Sequence, residues 1–179
     1  MSNAFFAMIF RMKYIRRWGI MHAVVPENLS THSMEVAVIS HALAIIGNTY
    51  FGKSYDCDKI TVKAIYHDLP ETLTGDTPTP VKYFSNETKS AYEKVEKAAL
   101  RKFMKSLPKE LLPTYESMFD YTPDEKRLIK AADKICAYLK CEEEKRNGNN
   151  EFSVARETLQ KSIAALNCEE ADYSCDAFL

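Results

Sequence analysis

Thr122-Pro123-Asp124-Glu125-Lys126-Arg127-Leu128-Ile129-Lys130-Ala131-Ala132-Asp133-Lys134-Ile135-Cys136-Ala137-Tyr138-Leu139 is the stretch that decides the fold. Its first four residues combine an N-cap threonine, a proline at the first helical position and a glutamate at the third, three helix-start signals that agree. Leu128, Ala132, Ile135 and Leu139 then recur at three- and four-residue steps, the spacing of one buried helix face. Asn147-Gly148 stops that helix.

The same period runs through the rest of the chain. Phe5, Met8, Ile9, Met12 and Ile15 predict an amphipathic helix that runs into Arg16-Arg17-Trp18. The run from Ser30 to about Tyr50 is apolar on nearly every face and predicts a central, mostly buried helix. Asp58 is placed to cap a third helix carrying Ile60, Ala64 and Ile65, which reaches His67-Asp68 and breaks at Pro70. Thr74-Gly75-Asp76-Thr77-Pro78-Thr79-Pro80 reads as a loop. Tyr92, Val95, Ala99 and Phe103 mark a long helix, a short piece follows Pro108, and Phe152, Ala155, Leu159, Ile163 and Leu166 mark a last one. With no period-two strand or tight hairpin signal, the fold class is all-α, a bundle of about six or seven helices. A length of 179 residues fits a single domain over 1–179.

Composition narrows the function classes. With 46% hydrophobic and 27% charged residues and only 5 Gly and 7 Pro, the chain is a packed globule, not a disordered or collagenous one. Lys and Arg number 24 against 25 acids, so no polybasic surface invites a nucleic-acid polymer or an anionic membrane. Charges break the apolar stretches before the roughly 18 residues a membrane span needs, and no leader pattern is present, so a cytoplasmic protein is expected. The 5 cysteines form no C-x-x-C pair and are expected to be free thiols. Met1-Ser2-Asn3-Ala4 is given no functional weight.

Of 4 histidines, two stand where a ligand is useful. His67 precedes Asp68, and neighbours on a helix point about 100° apart, so both reach one ion only at a helix end or bend, which Pro70 supplies. His32 opens the buried helix, whereas His41, nine residues on, points to the opposite side and is expected in the core. His22 is expected to be exposed. Asp133 lies among Ile129, Ala132, Ile135 and Cys136, where an ionised carboxylate needs a cation or donors to offset desolvation. Imidazole nitrogen with carboxylate oxygen suits a divalent transition metal better than calcium. His32, His67, Asp68 and Asp133 are thus a candidate metal set. Singly, each has a plainer reading as a packed imidazole or a salt-bridged acid; their order along the chain is the stronger signal.

That order resembles the HD superfamily of all-helical metal-dependent phosphohydrolases, named for His, His-Asp and Asp ligands. The closer resemblance is to the bacterial HD-domain 5′-deoxynucleotidase family. It is carried by Arg16-Arg17-Trp18, Glu27-Asn28-Leu29-Ser30-Thr31-His32-Ser33, Tyr66-His67-Asp68-Leu69-Pro70-Glu71, Leu73-Thr74-Gly75-Asp76-Thr77-Pro78-Thr79-Pro80-Val81-Lys82-Tyr83-Phe84, and Ala132-Asp133 with Ala137-Tyr138-Leu139-Lys140-Cys141.

The resemblance implies hydrolysis of deoxyribonucleoside 5′-monophosphates, a homodimer, and one divalent ion (cobalt, manganese, zinc or similar) held by His32, His67, Asp68 and Asp133. It implies catalytic roles for Glu71, in water positioning or proton transfer, and for Arg17, whose planar fork suits phosphate oxygens. Arg17, Trp18, Asp76, Thr77, Pro78 and Thr79 are the implied substrate contacts, with His32, Asp68 and Asp133 touching the nucleotide as well as the ion. Two alternatives compete: another HD phosphohydrolase acting on a different nucleotide, which would want more cations near the motifs, and a non-catalytic helical binding domain stabilised by its ion, which would need neither Glu71 nor the Asp76 loop.

Overall fold

The computed structural model describes residues 4–178; Met1, Ser2 and Asn3 lie outside the described residues. Every regular element in them is a helix, apart from one antiparallel bridge between Arg16 and Asn28. Ten α-helices are present among the described residues: α1 (Phe5–Ile9), α2 (Leu29–Tyr50), α3 (Cys57–Ile65), α4 (Glu71–Thr74), α5 (Thr79–Lys82), α6 (Asn86–Met104), α7 (Leu112–Ser117), α8 (Pro123–Arg146), α9 (Ser153–Ala164) and α10 (Glu169–Phe178). A 3-10 helix, Phe10–Tyr14, follows α1.

The all-α expectation holds and the number of helices does not. The excess comes from α4 and α5, single turns that overlap the two ends of the stretch read as a loop, and from α10. Proline starts both short helices: Pro70 precedes Glu71, and Pro80 sits in the first turn of α5, where a missing N–H costs nothing. Before α10, Asn167 takes a φ of 49°, a left-handed stop after α9 that Asn tolerates. The first helix is also shorter than its apolar stripe suggests, since it tightens to 3-10 geometry at Phe10 and turns extended at Ile15.

The chain divides into two compact units. The first takes residues 1–22, 26–31 and 67–120. Its core holds Phe5, Met12, Leu29, Leu69, Phe103 and Met104. Phe5 makes edge contacts with Phe103 and Tyr115, ring centroids 6.1 and 4.8 Å apart. Ser85 caps α6, its hydroxyl accepting from the Thr88 N–H at 3.1 Å.

The second unit takes residues 23–25, 32–66 and 121–179. Val36, Leu43, Ala44 and Ile46 of α2, Ile60 and Ala64 of α3, and Leu128, Ala132 and Ile135 of α8 share one core, with Ile163 and Ala171 closing it from α9 and α10. The capping box that opens α8 forms: Thr122 Oγ1 accepts from the Glu125 N–H at 3.2 Å and Glu125 Oε2 from the Thr122 N–H at 2.8 Å. α3 is capped by Asp56 rather than Asp58, because Asp56 holds extended backbone and accepts from the Lys59 N–H at 2.9 Å. Gly47 is required where it stands: a Cβ there would meet the Tyr55 ring at 2.5 Å.

α2 departs from expectation twice. It is not buried all round, for Met34 and Val38 are 59% and 58% exposed, and His41 is half-buried rather than enclosed. Its 22 residues also form a helix long and apolar enough to cross a membrane by length and composition alone, with a mean hydropathy of 1.3 in the relevant window. A single acid, Glu35, interrupts that run. Half of the window is buried in the protein, so core packing accounts for the hydropathy. His22 is exposed as expected, and the cysteines are free thiols.

Candidate active site

In the first unit, the sequence around Pro70 does what a helix breaker must. Tyr66 ends α3, residues 66–70 form turns, and Pro70 opens α4 with Glu71. Glu71 therefore starts a new helix rather than continuing α3 past His67. Gly75, at φ 78°, ends α4 and leads to Asp76, while Pro78 precedes Thr79, the first residue of α5. Thr77 and Pro78 are half-buried and Thr79 is exposed. The expected loop, 74–80, is irregular over 75–78, and only its ends belong to helical turns, the last residue of α4 and the first two of α5.

Arg17 is the hub of this unit. Its Nη1 lies 3.5 Å from Asp68 Oδ2 and 3.7 Å from Asp76 Oδ1, and its Nε donates to Glu27 Oε2 at 3.4 Å. Trp18 Nε1 donates to that same Glu27 oxygen at 2.5 Å. His67 Nε2 stands 3.0 Å from Asp68 Oδ2. Glu71 Oε2 is shut off from solvent and has no hydrogen-bond partner among the described residues. Burial, and then the negative charges of Asp68 and Asp76, push the Glu71 carboxyl up to about 9, with Arg17 and Lys82 pulling the other way. Lys82 is itself paired with Glu96.

Acids crowd this place: Glu27, Asp68 and Asp76 lie 3.4, 3.5 and 3.7 Å from the Arg17 guanidinium, and Glu71 feels the charge of the two aspartates. A surplus of acid that forces one carboxyl to keep its proton is what a divalent cation relieves. With His67 beside Asp68, the donors mix imidazole nitrogen and carboxylate oxygen, so these residues fit a borderline transition metal.

In the second unit, His32 is fully buried in the first turns of α2, and its Nε2 lies 3.0 Å from Asp133 Oδ1 on α8. Asp133 is less buried than its apolar neighbours suggest, its side chain 39% exposed, because Ile129, Ala132, Ile135 and Cys136 take the core face. This unit thus holds its own imidazole nitrogen beside a carboxylate oxygen.

Two residues without an assigned role stand among these groups. Lys82 acts on Glu71 through its charge. Glu27, 8% exposed, binds both Arg17 and Trp18. A signal for Glu27 exists in the sequence: it is the sole acid in the first 34 residues, downstream of Arg11, Lys13, Arg16 and Arg17.

The profile of the 5′-deoxynucleotidase YfbR-like family matches residues 4–179. The chain is 44% identical to 5′-deoxynucleotidase YfbR of Shigella dysenteriae, over 99% of this chain and 91% of that one. It is 45% identical to the 5′-deoxynucleotidase of Cronobacter sakazakii, with the same coverage. Among solved structures, an HD-domain phosphohydrolase from Listeria innocua superimposes with a TM-score of 0.86 at 21% identity, over 99% of this chain and 88% of that one. A cyanophage S-2L HD phosphohydrolase, bound to dA and one catalytic Zn2+ ion, superimposes with a TM-score of 0.67 at 20% identity, over 94% of this chain and 92% of that one. These two likenesses establish the shared fold. By the span of the profile match and the identity to the curated relatives, the chain belongs to the YfbR-like 5′-deoxynucleotidase family.

Proposed function

We propose that the protein is a 5′-deoxynucleotidase that hydrolyses deoxyribonucleoside 5′-monophosphates to deoxyribonucleoside and phosphate. The observation that carries this reading is the Arg17 guanidinium held between Asp68 and Asp76, beside a buried carboxyl at Glu71, in a chain so close to enzymes of that name. His32, His67, Asp68 and Asp133 are the ligands of one divalent transition metal ion of the cobalt, manganese or zinc type. When bound, that ion polarises the phosphate and lowers the pKa of a bound water toward neutrality.

The chain's own residues do the rest. Arg17 presents its fork of N–H donors to the non-bridging phosphate oxygens, where charge must be stabilised as the water oxygen bonds to phosphorus and the bond to the 5′-oxygen breaks. Glu71 orients the water and moves the proton that the departing 5′-oxygen needs. Asp76 accepts a hydrogen bond from a sugar hydroxyl, Trp18 packs against the sugar, and Thr77, Pro78 and Thr79 line the nucleotide. His32, Asp68 and Asp133 touch the substrate as well as the ion. The whole chain acts as one domain of this family; the homodimer and cytoplasmic location implied by the resemblance are tested by light scattering and by cell fractionation.

The function is tested by phosphate release from a panel of deoxyribo- and ribonucleoside 5′-monophosphates, after chelation and after adding back cobalt, manganese or zinc. Ion-dependent release with dAMP preferred over AMP is the expected result. Equal kcat/KM for dAMP and AMP would remove the deoxyribose assignment. Full release after chelation would remove the metal.

A further inference from the structure

Arg17 and Trp18 are adjacent, and on extended backbone adjacent side chains point to opposite faces. Here both reach a single oxygen, Glu27 Oε2. Trp18 is bent to it by a φ of 60°, a left-handed conformation that an aromatic side chain holds only where its surroundings over-determine it. Those surroundings are a short ribbon of the first unit. The Arg17 N–H donates to the Glu27 carbonyl at 3.1 Å, Arg16 bridges Asn28, and the Leu29 N–H donates to the Ile15 carbonyl at 2.9 Å. The Met21 N–H closes the turn on the Trp18 carbonyl at 2.9 Å.

We propose that Glu27 is a positioning residue whose carboxylate couples Trp18, the sugar-facing side chain, to Arg17, the phosphate-facing one. A buried acid kept only to balance charge needs one cation. Glu27 instead spends one oxygen on two donors of different kinds, and both belong to residues that read the nucleotide. The indole N–H to carboxylate bond is charge-assisted, so it fixes the plane of the ring as well as its place. Arg17, whose Nε donates to Glu27, has its Nη1 3.5 Å from Asp68 and 3.7 Å from Asp76, and the proposed phosphate contact lies on that side. Sugar discrimination and phosphate binding therefore depend on one side chain that touches neither. This inference rests on the nucleotidase reading for its kinetic arm alone.

Trp18 is the single tryptophan of the chain, so its fluorescence reports on the clamp without any substrate. The experiment compares the full-length wild type with Glu27→Ala, Glu27→Gln and Trp18→Ala. It measures acrylamide quenching of Trp18, circular dichroism, and kcat/KM for dAMP and AMP with metal present. For Glu27→Ala we expect quenching to rise about twofold and the dAMP to AMP ratio to fall roughly tenfold or more, toward that of Trp18→Ala. Glu27→Gln retains an oxygen acceptor and should restore both readouts to within about twofold of wild type, a rescue that mere loss of fold would not give. Unchanged quenching in Glu27→Ala overturns the proposal. So does an unchanged sugar ratio in Glu27→Ala when Trp18→Ala abolishes it, and so does an equal fall for both nucleotides. If Trp18→Ala leaves the ratio intact, the sugar reading fails and quenching alone decides the clamp. If Glu27→Ala loses its helical signal, Glu27→Met, which fills the space without an acceptor, replaces it under the same criteria.

Discussion

Glu144 in the second unit and Glu71 in the first are the same residue in opposite electrostatic states. Glu144 is fully buried on α8 and accepts from the Val24 and Val25 N–H groups at 2.9 and 3.0 Å, from Lys140 Nζ at 2.7 Å and from Asn149 Nδ2 at 2.7 Å. Burial raises its carboxyl, but these donors win and hold it at about 2. Glu71 has a buried oxygen without a hydrogen-bond partner among the described residues, and burial with two neighbouring acids pushes it up to about 9. A carboxylate whose lone pairs are all taken is architecture; it pins residues 24 and 25 to α8. A carboxyl left short of donors in a surplus of acid is poised to exchange a proton or answer a cation.

The comparison breaks first at Glu144. Glu144→Ala removes one partner of a buried ion pair and takes the acceptor away from the Val24 and Val25 N–H groups and Asn149, while Lys140 keeps Glu143 and the Val25 carbonyl; the loss should be about 3–5 kcal/mol in urea unfolding. A loss under about 1 kcal/mol would mean the network is ornamental. The pH dependence follows from the depressed carboxyl. Its folded-state value lies below the unfolded value of about 4.3, so the stability it contributes is complete above that pH and is lost as pH falls through about 2. Wild type should therefore lose stability between pH 4 and 2 more steeply than Glu144→Gln, read by urea melts across about that range.

At Glu71 the pattern should reverse. Glu71→Gln replaces a carboxyl that keeps its proton with a neutral group of the same shape, so unfolding should shift by less than about 1 kcal/mol. Phosphate release should nevertheless fall about 10²-fold, the low end of what a general acid or base contributes. A large stability loss with activity retained would place Glu71 in the scaffold beside Glu144.

What was legible in the sequence followed the reach of local physics. The start of α8 was plain because Thr122, Pro123 and Glu125 act within one turn and need no distant partner. α4 and α5 were hidden because single turns have no period to detect, and their prolines, read as breakers, are starters. Asp56 and Asp58 flank the same helix start, and only backbone geometry decides which one caps it. The exposed Met34 and Val38 were misplaced because hydropathy cannot say which apolar face of α2 meets the core. Within the candidate site, residue types and order pointed to His32, His67, Asp68 and Asp133, whereas Arg17, Trp18 and Asp76 drew their roles from family resemblance. The grip of Glu27 on Arg17 and Trp18 lay beyond reach, since it depends on a left-handed tryptophan that no local signal announces.

Glu125 supplies the smallest and sharpest test, because it is a third buried carboxylate with partners to spare. Lys63 Nζ lies 2.6 Å from Glu125 Oε2, Lys59 Nζ lies 3.5 Å from Oε1, and the Thr122 N–H donates to Oε2. Burial raises this carboxyl, yet Lys63 and the capping N–H bring it below its ordinary value. Thr122→Ala leaves every one of those donors in place, since the donor at residue 122 is backbone. It removes only the hydroxyl that accepts from the Glu125 N–H. If donor satisfaction of the carboxylate is what separates Glu144 from Glu71, the loss should be that of a helix cap alone, about 1 kcal/mol in urea unfolding. A loss above about 3 kcal/mol would mean that the Thr122 hydroxyl organises the Lys63–Glu125 pair as well, and that counting donors to the carboxylate understates what holds it.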